Sequence, residues 1–178
     1  MTEKVVAVPY SPTTSDRKIV GLACIALALS VCAFAGSDEG EPALRFHAKT
    51  LTGETFTNES VKGKVVLLQF WTTWCPYCRA EQPLVDDIDR EFAGKGLVVL
   101  AIDVGESKKT VRKYLADHPR SCRIVLNEDT NLAAMYAANS YPIYVVIDRE
   151  GDIAATQRGA SGERGLRRLL RLAGLEPE

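Results

Sequence analysis

The chain is 178 residues long, 46% hydrophobic and 25% charged. That composition fits one ordinary globular domain with an N-terminal extension. With 22 Lys+Arg against 23 Asp+Glu there is no basic excess for a nucleic acid to engage, so that class of partner is set aside.

The extension comes first. Residues 1–18 are polar and end in Arg17-Lys18, and Ile19 to Ala35 is an uncharged apolar run. Ala33-Phe34-Ala35 has the small-x-small pattern of a signal-peptidase site. The run is slightly long for the apolar core of a signal peptide and at the short limit for a spanning helix. Residues 1–35 therefore read as a signal peptide or an N-terminal membrane anchor, with lipidation at Cys32 a third possibility that the bulky Val31 disfavours. In each case Arg17 and Lys18 stay inside and the domain lies outside the cytoplasmic membrane. Removing residues 1–35 leaves 19 Lys+Arg against 21 Asp+Glu.

Residues 36–43 read as a tether and 44–178 as the folded domain. Leu44 to Phe56 suggests a hairpin around Leu51-Thr52-Gly53-Glu54, and Asn58 is placed to cap a helical turn before Gly63. Lys64 to Trp71 is apolar until Gln69, the pattern of a strand buried on both faces. A helix follows from about Cys75 to Ala93, ended by Gly94 and Gly96. Leu97 to Val104 reads as a strand, Ser107 caps a helix ending before Pro119, and Arg123 to Leu126 is a third strand. Asp129 opens a short helix to about Ala138. Ile143–Asp148 and Asp152–Gln157 form a hairpin, and a helix covers Gly162 to Ala173. Alternating strands and helices imply an α/β domain with a central mixed β-sheet flanked by helices.

The chemistry concentrates in Trp74-Cys75-Pro76-Tyr77-Cys78, where the buried strand hands over to the helix. The unpartnered N–H groups and positive dipole end of a helix stabilise a thiolate placed there. They can lower its pKa from about 8.5 into a range of roughly 3.5–7.5. Pro76 suits the first helical position, which needs no N–H. Cys75 then reads as the exposed attacking sulfur and Cys78, one turn deeper, as the resolving one. A zinc site would need two further ligands, and Cys122, His47 and His118 supply no second close pair. A structural disulfide would leave the strand–helix placement unexplained. The dithiol calls for no cofactor and no metal.

The segment Phe70-Trp71-Thr72-Thr73-Trp74-Cys75-Pro76-Tyr77-Cys78-Arg79-Ala80-Glu81-Gln82-Pro83 resembles the active-site segment of the TlpA/ResA-like, membrane-tethered branch of the thioredoxin superfamily. Gly63-Lys64-Val65-Val66 and Tyr141-Pro142 with Val145-Val146-Ile147-Asp148 are similar to that branch as well. The resemblance implies a thioredoxin-like fold with an N-terminal β-hairpin extension, and thiol–disulfide exchange with exported proteins. It implies apocytochrome c as a client and a membrane electron donor; a monomer is the expected state. Pro142 matches the family's cis-proline, which would offer the Tyr141 backbone to an extended substrate. Trp74, Pro76 and Tyr77 complete the substrate-facing set. Glu81 matches the acidic residue three positions after the second cysteine and lies one helical turn from Cys78, near enough to relay a proton. Gln69 departs from the pattern: it stands where the superfamily often has Asp and the branch often Asn, and it cannot take up a proton. Cys-Pro-Tyr-Cys is similar to the glutaredoxin tetrad, and by itself it does not decide between reductant and oxidant.

Two other functions stay in view. A thiol peroxidase of peroxiredoxin type would have a proline where Leu68 stands, four positions before Thr72, and no second cysteine so close. A non-catalytic binder of unfolded exported chains would use the Tyr141-Pro142 groove alone. Cys122 reads as a small buried apolar residue, and Arg164, Arg167, Arg168 and Arg171 as the solvated face of a terminal amphipathic helix.

Overall fold

The computed structural model describes residues 40–176. The expectations for the signal or anchor over 1–35, and for Cys32, lie outside the described residues. Eight strands form one mixed sheet: β1 (Glu41–Pro42), β2 (His47–Thr50), β3 (Thr55–Thr57), β4 (Val65–Trp71), β5 (Leu97–Asp103), β6 (Arg123–Thr130), β7 (Ile143–Ile147) and β8 (Asp152–Arg158). Their order is β1-β8-β7-β4-β5-β6-β2-β3. The helices are α1 (Pro76–Phe92), α2 (Lys108–Asp117), α3 (Leu132–Met135) and α4 (Gly162–Leu172).

The apolar runs become the middle of the sheet. β4, β5 and β7 are buried at every residue. β4 pairs parallel with β5 and antiparallel with β7. Alternate side chains feed two cores, as the strand period of two requires. Val65, Leu67 and Trp71 pack with Val85, Ile88 and Phe92 of α1 and with Leu166, Leu169 and Leu170 of α4. Val66, Leu68 and Phe70 face the other way, toward Phe46, Val61 and Leu132. Each fully buried Leu, Ile or Phe contributes about 1.5–3 kcal/mol to this arrangement. The N-terminal hairpin, β2 with β3, joins the sheet through β6. A 3-10 turn after α1 ends at Gly96, whose φ of 85° is left-handed, a conformation that costs glycine nothing.

Three local expectations are corrected. Asn58 caps no helix: its Oδ1 accepts from Phe46 N–H at 2.8 Å and its amide donates to the Leu44 carbonyl at 3.2 Å. It ties the N-terminal segment down, while Thr57 and Ser60 close the local turn. Asp129 does not open a helix; residues 127–130 prolong β6, where Thr130 pairs with Ala48 of β2 across a register shift. α3 accordingly begins only at Leu132. Finally, Glu41 and Pro42, within the stretch read as tether, pair with Ile153 and Asp152 of β8.

Candidate active site

Cys75 and Cys78 form a disulfide with Cα atoms 5.3 Å apart. Cys75 is the N-cap of α1, Pro76 opens the helix, and Cys75 Sγ accepts the Cys78 N–H at 3.1 Å. The sulfur thus sits where one of the helix's orphan donors points. Its other close neighbour is the Tyr141 carbonyl oxygen at 3.6 Å. The Tyr141–Pro142 peptide is cis.

Cys75 is not an exposed residue in this oxidised form; it is 3% accessible, against 0% for Cys78. The disulfide and the Tyr141 segment cover it. The exposed groups are its neighbours Trp74, at 63%, and Tyr77, at 66%. Trp74 meets Tyr141 edge-on with centroids 6.0 Å apart. Pro76 is exposed and Pro142 buried; Trp74 and Tyr141 meet beside the recessed disulfide, and Glu81 lies on α1 one helical turn from Cys78.

Glu81 is 7% accessible, and every partner it has is a donor. Its Oε1 accepts the backbone N–H of Ser161 at 2.8 Å and that of Gly162. Its Oε2 accepts the Tyr144 hydroxyl at 2.7 Å. Tyr144 in turn accepts the Gln69 amide at 3.3 Å, and Gln69 Oε1 accepts Arg120 Nη2 at 3.3 Å. Arg120 Nε reaches both oxygens of Asp86 at 3.0 and 2.9 Å, and its guanidinium lies 5.6 Å from the Trp71 ring centroid. Burial, and then the Glu81 carboxylate, push the Tyr144 phenol far above its ordinary range, so it acts here only as a neutral donor and acceptor.

A second acidic group holds the loop before Cys75. Glu106 accepts from the Thr73 N–H at 2.5 Å and hydroxyl at 2.6 Å, and its own N–H donates to Asp103 Oδ1 at 3.3 Å. Asp103 is fully buried, and burial, followed by the neighbouring Glu106 carboxyl, pushes its pKa up to about 8. Among the described residues no group of His, Cys, Asp or Glu side chains is placed to hold a metal ion.

The sequence model of the AhpC/TSA family matches residues 40–156. The chain belongs to that family. The thioredoxin-like protein YneN of Bacillus subtilis is 34% identical over 140 residues, covering 77% of this chain and 81% of that one. The thiol-disulfide oxidoreductase ResA of the same organism is 30% identical over 133 residues, covering 73% and 74%. A solved structure titled as a putative thiol:disulfide interchange protein DsbE from Chlorobium tepidum superposes with a TM-score of 0.67 at 24% identity, over 76% of this chain and 97% of that one. The fold is thioredoxin-like, and with a CxxC disulfide at the head of α1 this AhpC/TSA member is a thiol–disulfide oxidoreductase.

The sequence singled out the dithiol, Glu81 and Gln69; it did not single out Tyr144, Arg120, Asp86 and the Asp103–Glu106 pair, which hydrogen bonds join to Glu81, to Gln69 and to the loop before Cys75. Gln69 was the available signal: a lone amide in an otherwise apolar strand needs buried partners.

Proposed function

We propose that this oxidoreductase works outside the cytoplasmic membrane, held there by Ile19–Ala35 or released by cleavage after Ala35, and exchanges disulfides with exported proteins. The observation that carries the assignment of roles is the N-cap position of Cys75, with its sulfur facing the Cys78 N–H. Cys75 attacks the substrate disulfide as a thiolate stabilised by the helix end. One substrate sulfur leaves and a Cys75–substrate disulfide forms. Cys78 then attacks Cys75 Sγ, the mixed disulfide breaks and the substrate departs reduced. Glu81 takes the Cys78 proton during that second attack.

Trp74, Pro76 and Tyr77 on one side, and Tyr141 with Pro142 on the other, dock the substrate; the Tyr141 backbone pairs with an extended segment. The client is apocytochrome c, the enzyme acts as a monomer, and a membrane electron donor restores the dithiol. In cells, a Cys78→Ala variant should accumulate mixed disulfides between Cys75 and exported proteins, apocytochrome c among them, that dithiothreitol releases. No adduct on Cys75, combined with rapid peroxide consumption by the wild-type protein, would favour a thiol peroxidase. Undiminished binding of unfolded chains by a Cys75→Ala variant, without exchange, would favour a non-catalytic binder.

A further inference from the structure

The buried network behind the disulfide has a direction, set by the donor and acceptor capacities of its members. Arginine only donates. With Arg120 Nη2 on Gln69 Oε1, the amide's acceptor end is committed and its Nε2 end must turn toward the Tyr144 oxygen. An amide nitrogen only donates, so the single hydroxyl proton of Tyr144 goes to its remaining neighbour, Glu81 Oε2. Ser161 and Gly162 N–H groups occupy Glu81 Oε1. A proton arriving on Glu81 therefore finds no acceptor beside it unless Tyr144 turns its hydroxyl away, and the Gln69 amide opposes that turn by donating to the opposite side of the Tyr144 oxygen.

We propose that Arg120 is a positioning residue for the exchange reaction: through the Gln69 amide it fixes the Tyr144 hydroxyl as a donor to Glu81, and so sets the pH at which Glu81 exchanges a proton with the Cys78 thiol. This rests on the reading of Glu81 as the proton partner of Cys78. Arg120 is suited to the task because its side chain is 1% exposed and its guanidinium is pinned by Asp86. A lysine has no fork to hold Asp86 and Gln69 at once. The charged and titratable groups around this wire are Asp86 and Asp89 of α1, Cys122 just before β6, Arg123 at its start, and Tyr144 itself. Arg123 lies 3.7 Å from Asp89, and burial raises the Asp89 carboxyl pKa. Among the described residues Arg120 is the cation that hydrogen-bonds to Gln69.

The step to follow is ring closure. Reduced enzyme mixed with a small aromatic disulfide releases one aryl thiolate when the Cys75 thiolate attacks. It releases a second when Cys78, passing its proton to Glu81, attacks Cys75 Sγ and the Cys75–aryl bond breaks. The dithiol is oxidised and the reagent reduced by two electrons. The rate of the second release, recorded against pH, should show an inflection that Glu81→Gln removes. Gln69→Met, Tyr144→Phe and Arg120→Lys should each move that inflection upward, because each costs the carboxylate a donor or its orientation. The Gln69→Met/Tyr144→Phe double variant should move it no further than Tyr144→Phe alone. A merely structural role would lower the rate at every pH and leave the inflection in place. An unmoved inflection in Gln69→Met, or additive shifts in the double variant, overturns the proposal while leaving Glu81 as the base. A wild-type profile in Glu81→Gln overturns the base assignment and the wire together. Should Arg120→Lys fail to fold, Gln69→Met, which keeps the Arg120–Asp86 pair, still decides.

Discussion

Tyr144 Oη donates to Glu81 Oε2 across 2.7 Å, joining the start of β7 to the helix that Cys75 caps and that carries Cys78. The two residues are 63 positions apart in sequence, and both are buried. A hydrogen bond to a buried carboxylate is worth about 1.5–3 kcal/mol, since its loss leaves a desolvated charge short of a donor. Tyr144→Phe should therefore lower the unfolding free energy by about that amount, measured as a shift in urea midpoint at constant slope. A loss below about 0.5 kcal/mol would mean that Glu81 finds a replacement donor.

The Asp103 carboxyl makes a pH-dependent contribution of known sign. Its folded pKa is pushed up to about 8 from 3.8, so between those values the native state holds a proton that the unfolded chain has lost. The contribution is fully present below the unfolded value and is lost as pH rises through the folded one. Asp103→Asn should flatten the decline in stability with pH across that window. An unchanged slope, followed by urea unfolding at a series of pH values, would show that Asp103 is ionised throughout.

Cys122 is 5% accessible, and burial pushes its pKa up to about 12. A thiol in that state is a poor nucleophile. In the folded, reduced protein it should resist alkylation at neutral pH while Cys75 reacts, and it should label only after denaturation. Mass mapping of labelled peptides checks this, and labelling of Cys122 at a rate comparable to Cys75 would contradict it.

The cap of α2 is a local prediction. Ser107 Oγ accepts the Thr110 N–H at 3.2 Å, so Ser107→Ala should cost about 1 kcal/mol. Its exposed position leaves no packing loss to confuse the measurement. Calorimetry showing no change in melting temperature would contradict the assignment.

Much of this fold was legible because its centre is made of apolar runs. Val65–Trp71, Leu97–Asp103 and Ile143–Ile147 announce themselves as strands buried on both faces. Pro76 and the two glycines after Ala93 bracket the first helix. The end of β6 was not legible: the sequence reads as a strand ending at Leu126 and a helix opened by Asp129, yet Thr130 lies beside Ala48 of β2, and strand pairing is made by backbone groups whose partners the local sequence does not name. The charged part of the site was hidden for a related reason. Asp86 and Arg120 look like ordinary surface residues in sequence, and only the packing of the segment after α2 against α1 brings Arg120 onto Asp86 and Gln69. Tyr144 lies in a run of apolar residues, where its hydroxyl gives no sign of a partner.

The central claim is that Cys75 at the head of α1 is the attacking sulfur and Cys78 the resolving one. It is tested most directly by alkylating the reduced protein with iodoacetamide across pH 4 to 9 and measuring the rate at each cysteine by mass spectrometry. The account predicts that Cys75 reacts first, with an inflection below the roughly 8.5 of an ordinary thiol, while Cys78 stays unlabelled until the protein unfolds. Preferential labelling of Cys78, or a Cys75 rate that rises only above about pH 8.5, would contradict it.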